Sequence, residues 1–132
     1  MIFVDTSFLV AYALERDSRH ADALALGEPF ARASLVTSTL ILGETWTTLR
    51  HRIGHPRTRG WIDALWALGH VRVERIGRDL EDEAWAWLRQ HDERPYSFVD
   101  ATSFALMRKL RLTEALAFDG DFAAAGFVEL RP

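Results

Sequence analysis

The sequence predicts an α/β protein, a three-layer α/β/α sandwich built on a central, mostly parallel sheet of about five strands. Three observations carry that expectation. Short, wholly apolar runs, beginning with Ile2-Phe3-Val4, have the pattern of strands buried on both faces of a parallel sheet. Helical segments separate most of these runs, as right-handed crossovers require. The 132 residues suit one domain, spanning 1–132, with enough length for a core, and 48% hydrophobic with 27% charged residues is the mix of a folded globular chain.

After Ile2-Phe3-Val4, the residues Asp5, Thr6 and Ser7 are all good N-caps, and Phe8 to Leu14 is apolar nearly all round. Such a helix is expected to be covered by the core on one side and by something further on the other, a dimer partner being one candidate. Ala21 to Phe30, rich in alanine and leucine, reads as one helix; Leu35-Val36 is a second strand before the cap signal Thr37-Ser38. Leu40 to Ile53 is a helix carrying Ile41, Leu49 and Ile53, closed by Gly54 and Pro56. Trp61, Leu65 and Leu68 repeat at i, i+4 and i+7 in the next helix, and His70 to Glu74 is a third strand. Asp79 and Asp82 suggest a capping box for a helix whose inner face is Leu80, Ala84, Trp87 and Leu88, with Trp85 off that face. Ser97 to about Leu110 is a helix, and Ala115 to Phe118 and Phe127 to Leu130 are the last strands, read as adjacent.

Composition excludes several classes of function. No cysteine is present, so there is no disulfide framework, thiolate zinc site or cysteine nucleophile. No apolar run approaches the ~20 residues of a membrane span. The N-terminal run lacks a basic n-region and meets Asp5 too early for a signal peptide, so a cytoplasmic location is expected. No glycine-rich loop follows a strand to suggest a nucleotide cofactor. With 16 Lys and Arg against 19 Asp and Glu the formal charge is −3, which taken alone disfavours a nucleic-acid partner.

The distribution of the acids changes that inference. In open α/β sheets, ligands collect outside the carboxyl ends of the strands. Asp5 follows the first strand, Glu44 lies more than one turn into the helix after the second, Asp100 lies in the first turn of a later helix, and Asp119 and Asp121 follow Phe118. Five carboxylates converging on one rim repel one another, and a hard divalent cation with oxygen ligands, Mg²⁺ or Mn²⁺, is the simplest stabiliser. Each acid also has a structural reading. Asp5 suits an N-cap, Asp100 sits at capping-box spacing from Ser97, and Asp119-Gly120-Asp121 is a turn signal. Glu44 is more informative, because Leu40, Ile41, Thr47 and Thr48 at helical spacing offer it no cation.

Four blocks of this chain resemble the PIN-domain ribonucleases, and among them the small toxins of VapBC type. The blocks are Ile2-Phe3-Val4-Asp5-Thr6-Ser7, Thr39-Leu40-Ile41-Leu42-Gly43-Glu44, the stretch from Ser97 through Asp100 to Met107, and Ala117-Phe118-Asp119-Gly120-Asp121-Phe122. The resemblance spans essentially the whole chain and implies a PIN-like sheet. It implies that Asp5, Glu44, Asp100 and Asp119 are the catalytic, metal-binding acids, with Asp121 as a more variable fifth. Phe118 departs from the pattern, since many relatives carry a small polar residue there; Thr6 or Ser7 is the available hydroxyl. The implied activity is metal-assisted hydrolysis of RNA by a toxin, giving a 5′-phosphate and a 3′-hydroxyl, with Mg²⁺ (or Mn²⁺) as cofactor. The implied partners are a cognate antitoxin, the RNA substrate and a second copy in a homodimer, with no membrane.

Other readings stay beside this one. A PIN nuclease of RNA processing that is not a toxin, or a catalytically silent RNA-binding module, would share the blocks. A receiver-like phosphoacceptor module also gathers acids around Mg²⁺ but wants a lysine after a late strand, and the sole lysine, Lys109, falls within a helix. His51 and His55 are four apart, yet Gly54 and Pro56 break the helix there and no HExxH pattern accompanies them. Residues 50–59 carry Arg50, Arg52, Arg57 and Arg59 and no acid, which is either a solvated helix end and loop or an RNA-facing patch.

Overall fold

The computed structural model describes residues 1–132. Five strands, β1 (Ile2–Val4), β2 (Leu35–Ser38), β3 (Val71–Glu74), β4 (Glu114–Leu116) and β5 (Val128–Glu129), form one sheet in the order β3-β2-β1-β4-β5, with every neighbouring pair parallel. The helices are α1 (Thr6–Ala13), α2 (His20–Ala25), α3 (Gly27–Arg32), α4 (Thr39–Ile53), α5 (His55–Trp66), α6 (Arg78–Gln90), α7 (Phe98–Leu110) and the single turn α8 (Asp121–Ala124). The expected α/β/α sandwich is thus present.

The topology itself locates a cleft. From β1 the chain steps outward through β2 to β3, then returns and steps the other way through β4 to β5. Right-handed crossovers therefore put α1 to α5 on one face and α6 to α8 on the other. The packing agrees: α1 lies on α2 and α4, α4 on α5, α6 on α7, and α7 on α8. The order reverses between β1 and β4, so their carboxyl ends frame the switch-point crevice of an open parallel sheet. Asp5 N–H donates to Leu116 O at 3.0 Å across this seam.

The sheet's apolar strands bury Phe3, Val4, Leu35, Val36 and Leu116 almost completely. Phe104 of α7 is fully buried, with ring centroids 5.2 Å from Trp87, 5.0 Å from Phe122 and 5.7 Å from Phe127. Truncation leaves a cavity that the rigid sheet cannot close. Phe104→Ala should therefore lower unfolding free energy by about 3–5 kcal/mol, read as a lower urea midpoint with an unchanged m-value.

Several sequence expectations are corrected. The stretch 21–30 is two helices, because Pro29 cannot donate and its ring opposes the carbonyl of Ala25, where α2 ends. The second apolar side of α1 is covered by the same chain: Val10 and Leu14 pack on Leu49 of α4. Residues 55–60 are helical, since Pro56 at the first turn of α5 starts that helix. Asp79 and Asp82 make no capping box; α6 begins after Gly77 without a side-chain cap. The last two strands are separated by α8, a single turn too short to leave a periodic signal. Caps at Ser38 and Ser97 are as expected.

Candidate active site

A cleft of about 380 Å³ opens at the switch point, lined by Asp5, Thr6, Ser7, Asp17, Arg19, Glu44, Thr48, Asp100, Phe118 and Asp119 among others. Four of the five acids singled out in the sequence thus face one space. Asp5 is placed by the end of β1 and caps α1, accepting from Ser7 N–H at 3.0 Å and from the Ser7 hydroxyl at 2.6 Å. Asp100 is fixed by a reciprocal capping box: its carboxylate accepts from Ser97 N–H at 2.9 Å while its own N–H donates to Ser97 Oγ at 2.9 Å. Capping and a place in the cleft coexist for both residues. Glu44 lies half-buried on the cleft side of α4, with Thr48 one turn further along. Asp119 follows β4 and accepts from Asp121 N–H at 3.1 Å, the turn its sequence announced.

The four cleft acids have no cation paired with them, although Arg19 also lines the cleft. None of the seven ion pairs involves Asp5, Glu44, Asp100 or Asp119. Burial, reinforced by the Asp119 and Asp100 charges, raises the Asp5 carboxyl to about 7 despite its two bonds from Ser7. Asp100 is raised to about 6, chiefly by burial, with Asp119 and Asp121 adding to it. Asp119 is raised as well, by partial burial of its carboxyl and then by Asp121. Acids held near one another and pushed toward neutrality present a hard-oxygen donor set that a divalent cation fits. Carboxylate oxygens of Asp100, Asp119 and Asp121 lie within 4.8 Å of one another. Asp5 and Glu44 stand outside that tight group while sharing the cleft.

The remaining sequence candidates divide. Ser7 supplies the hydroxyl beside the unusual Phe118, donating to Asp5 Oδ2 and accepting Phe118 N–H at 3.0 Å. Thr6 lines the cleft, but its hydroxyl points to Ile41 O at 3.5 Å. Asp121 does not line the cleft; its Oδ1 accepts from Arg94 Nε at 2.8 Å. Arg50, Arg52, Arg57 and Arg59 are exposed on α4 and α5, outside the cleft wall and free of ion pairs. His55 packs edge-on against Trp46, ring centroids 5.6 Å apart.

Sequence reasoning missed three arginines. Arg19 lines the cleft, and its guanidinium lies 5.6 Å from the Phe118 ring centroid, with that of Arg131 at 5.3 Å. Arg94 reaches the Asp119–Asp121 turn from 25 to 27 residues away. All three sit in loops or at the terminus, where no periodicity marks a side chain's direction. Thr48 was legible in principle, one helical turn from Glu44.

A parallel sheet whose strand order reverses beside a cleft of unpaired acids is the class of site found in PIN-domain nucleases, and the chain belongs to the PIN-domain family, whose model matches residues 2–128. Over 132 residues it is 54% identical to the 23S rRNA-specific endonuclease VapC20 of Mycobacterium tuberculosis, in both the CDC 1551 / Oshkosh and the ATCC 25618 / H37Rv strains, covering 100% of this chain and 99% of the relative. It is also similar to the crystal structure of M. tuberculosis VapC20, described as a sarcin-ricin loop cleaving toxin, with a TM-score of 0.92, 52% identity and full coverage of both chains.

Proposed function

We propose that this chain, acting over residues 1–132 as one nuclease domain, is a divalent-metal-dependent endoribonuclease and the toxin of a toxin–antitoxin pair. The observation that carries the reading is the switch-point cleft with Asp5, Glu44, Asp100 and Asp119 on its walls and no cation paired to any of them. The likeness to a 23S rRNA endonuclease supports ribosomal RNA, and a sarcin–ricin-type loop in it, as substrate. An antitoxin and a second copy of the chain are the proposed protein partners. No helix is long and apolar enough to cross a membrane.

The placement of the residues supports the following roles. Asp5, Glu44, Asp100 and Asp119 would hold Mg²⁺ or Mn²⁺, which would supply Lewis acidity to water and phosphate. The Ser97 box and the Ser7 hydroxyl fix the directions of Asp100 and Asp5, so that the acids need not reorganise when substrate arrives. Ser7 also ties the end of β4 to that of β1 through Phe118 N–H. Arg19, on the cleft wall, meets phosphate oxygens, and the exposed arginines at 50, 52, 57 and 59 draw in the RNA backbone.

The deciding experiment incubates the purified chain with 23S rRNA, free and in ribosomes, with Mg²⁺ or Mn²⁺. A discrete cut is expected, lost in EDTA and restored by adding metal in excess. Cleavage persisting in EDTA overturns the metal reading. For the toxin role, expression of the chain should arrest growth and co-expression of the antitoxin should relieve it; unimpaired growth with active enzyme in the cells would leave a nuclease that is not a toxin.

A further inference from the structure

We infer that Arg94 is a positioning residue that takes the Asp121 carboxylate as its counter-ion and withholds it from the cation, leaving Asp119 as the only ligand on its turn. The inference rests on the metal-dependent reading above and deepens it.

One guanidinium grips both sides of Gly120. Arg94 Nε donates to Asp121 Oδ1 at 2.8 Å, and Nη2 donates to the backbone carbonyl of Asp119 at 3.2 Å. Gly120 makes room for this: its φ is +83°, and a Cβ there would lie 3.3 Å from Arg94 Nη2. A second arginine holds the far side. Glu129 accepts from Gly120 N–H at 3.3 Å and Ala123 N–H at 3.1 Å, and is itself paired with Arg131 Nη2 at 2.7 Å. The turn carrying Asp119 is therefore clamped between two arginine–carboxylate pairs. Asp119 in addition uses Oδ1 to accept Asp121 N–H, which aims its other oxygen.

The Asp121 carboxylate is within reach of the cation site without joining the cleft wall. Its oxygen lies within 4.8 Å of those of Asp100 and Asp119. Released from Arg94, it would add a third negative charge and a third ligand to that group. The charge-assisted bond to the guanidinium occupies Oδ1 and offsets the Asp121 charge, which favours leaving the coordination around Asp119 to water and phosphate.

Calorimetric titration of the metal-stripped full chain with Mn²⁺, alongside RNA cleavage, tests this. Asp121→Asn should change the Mn²⁺ Kd by less than about threefold, whereas Asp119→Asn weakens it at least about tenfold. Arg94→Met frees the carboxylate, so Mn²⁺ should bind about three- to tenfold tighter while kcat falls about tenfold. Adding Asp121→Asn to Arg94→Met should return the Kd toward wild type. A merely structural arginine would lose metal affinity and activity together, and that result overturns the assignment. So does Asp121→Asn weakening Mn²⁺ as much as Asp119→Asn, a comparison that stands even if Arg94→Met fails to fold. Wild-type protein that binds no Mn²⁺ overturns the metal reading along with the assignment.

Discussion

Asp5→Asn is expected to cut RNA cleavage at least about 100-fold while making the metal-free protein more stable at pH 8. The two effects have one cause. Asp5 is 3% exposed and faces other acids, so its folded-state carboxyl titrates at about 7, against about 3.9 in an unfolded chain. A raised carboxyl favours folding while it is protonated. That stability is fully present below about pH 4, declines as pH rises toward 7, and is lost above it. Asp100, raised to about 6, adds to the loss in the same direction. Asparagine cannot ionise, yet its Oδ1 can still accept Ser7 N–H and cap α1. At pH 8 in EDTA the variant should therefore gain on the order of 3 kcal/mol, seen as a melting temperature about 10 °C higher. The gap should narrow as the pH falls toward 4. Saturating Mg²⁺ should raise the wild-type melting temperature and close the gap, because a cation that binds only the folded chain stabilises it. A variant that melts lower than wild type at pH 8 in EDTA would show that Asp5 is structural first.

That trade between stability and site chemistry also explains how much of the molecule was legible in its sequence. Strands buried on both faces announce themselves, so Ile2-Phe3-Val4 and the runs near residues 35 and 115 were found, while the edge strand near 71 was found from the alternation of Val71 and Val73. Acids on those elements were equally readable, because the fold fixes where a residue just after a strand must point. Asp5 and Asp100 both make capping hydrogen bonds and line the cleft, so a capping contact does not remove either from the site. What escaped was set by tertiary approach. Arg94 lies between α6 and α7 and meets Asp121 only because the sheet brings α8 beside α7. Nothing in its neighbours, Glu93 and Pro95, reports that meeting. Boundaries failed where backbone chemistry outweighed composition: Pro29 split an alanine-rich stretch that reads as continuous helix, and Pro56 began a helix in residues that read as a polar loop.

Replacing Arg50, Arg52, Arg57 and Arg59 together with glutamine should weaken RNA binding about 100-fold near physiological salt and flatten its salt dependence. The formal charge of −3 conceals the reason. Setting aside the five carboxylates at or beside the cleft leaves fewer acids than the 16 basic residues, and four of those bases lie within residues 50–59, which hold no acid. Along α4, Glu44 and Thr48 line the cleft, and the same four-residue step reaches Arg52 on the same face, about 12 Å from Glu44 along the axis. Arg57 and Arg59 follow in the first turns of α5, so all four exposed arginines lie around the α4–α5 junction, beyond the cleft end of α4. A solvated helix end predicts something else. Arg50 and Arg52 sit in the last turn of α4, where cations offset the carbonyl dipoles for about 0.3–1 kcal/mol each. If that were their whole role, the fourfold variant would lose a few degrees of melting temperature and keep its RNA affinity. A phosphate track gives the reverse: little change in melting, and a slope of log K against log salt smaller by about 0.7 for each single-strand phosphate contact removed. Equal affinity and equal slope in variant and wild type would move the RNA path to another face of the protein.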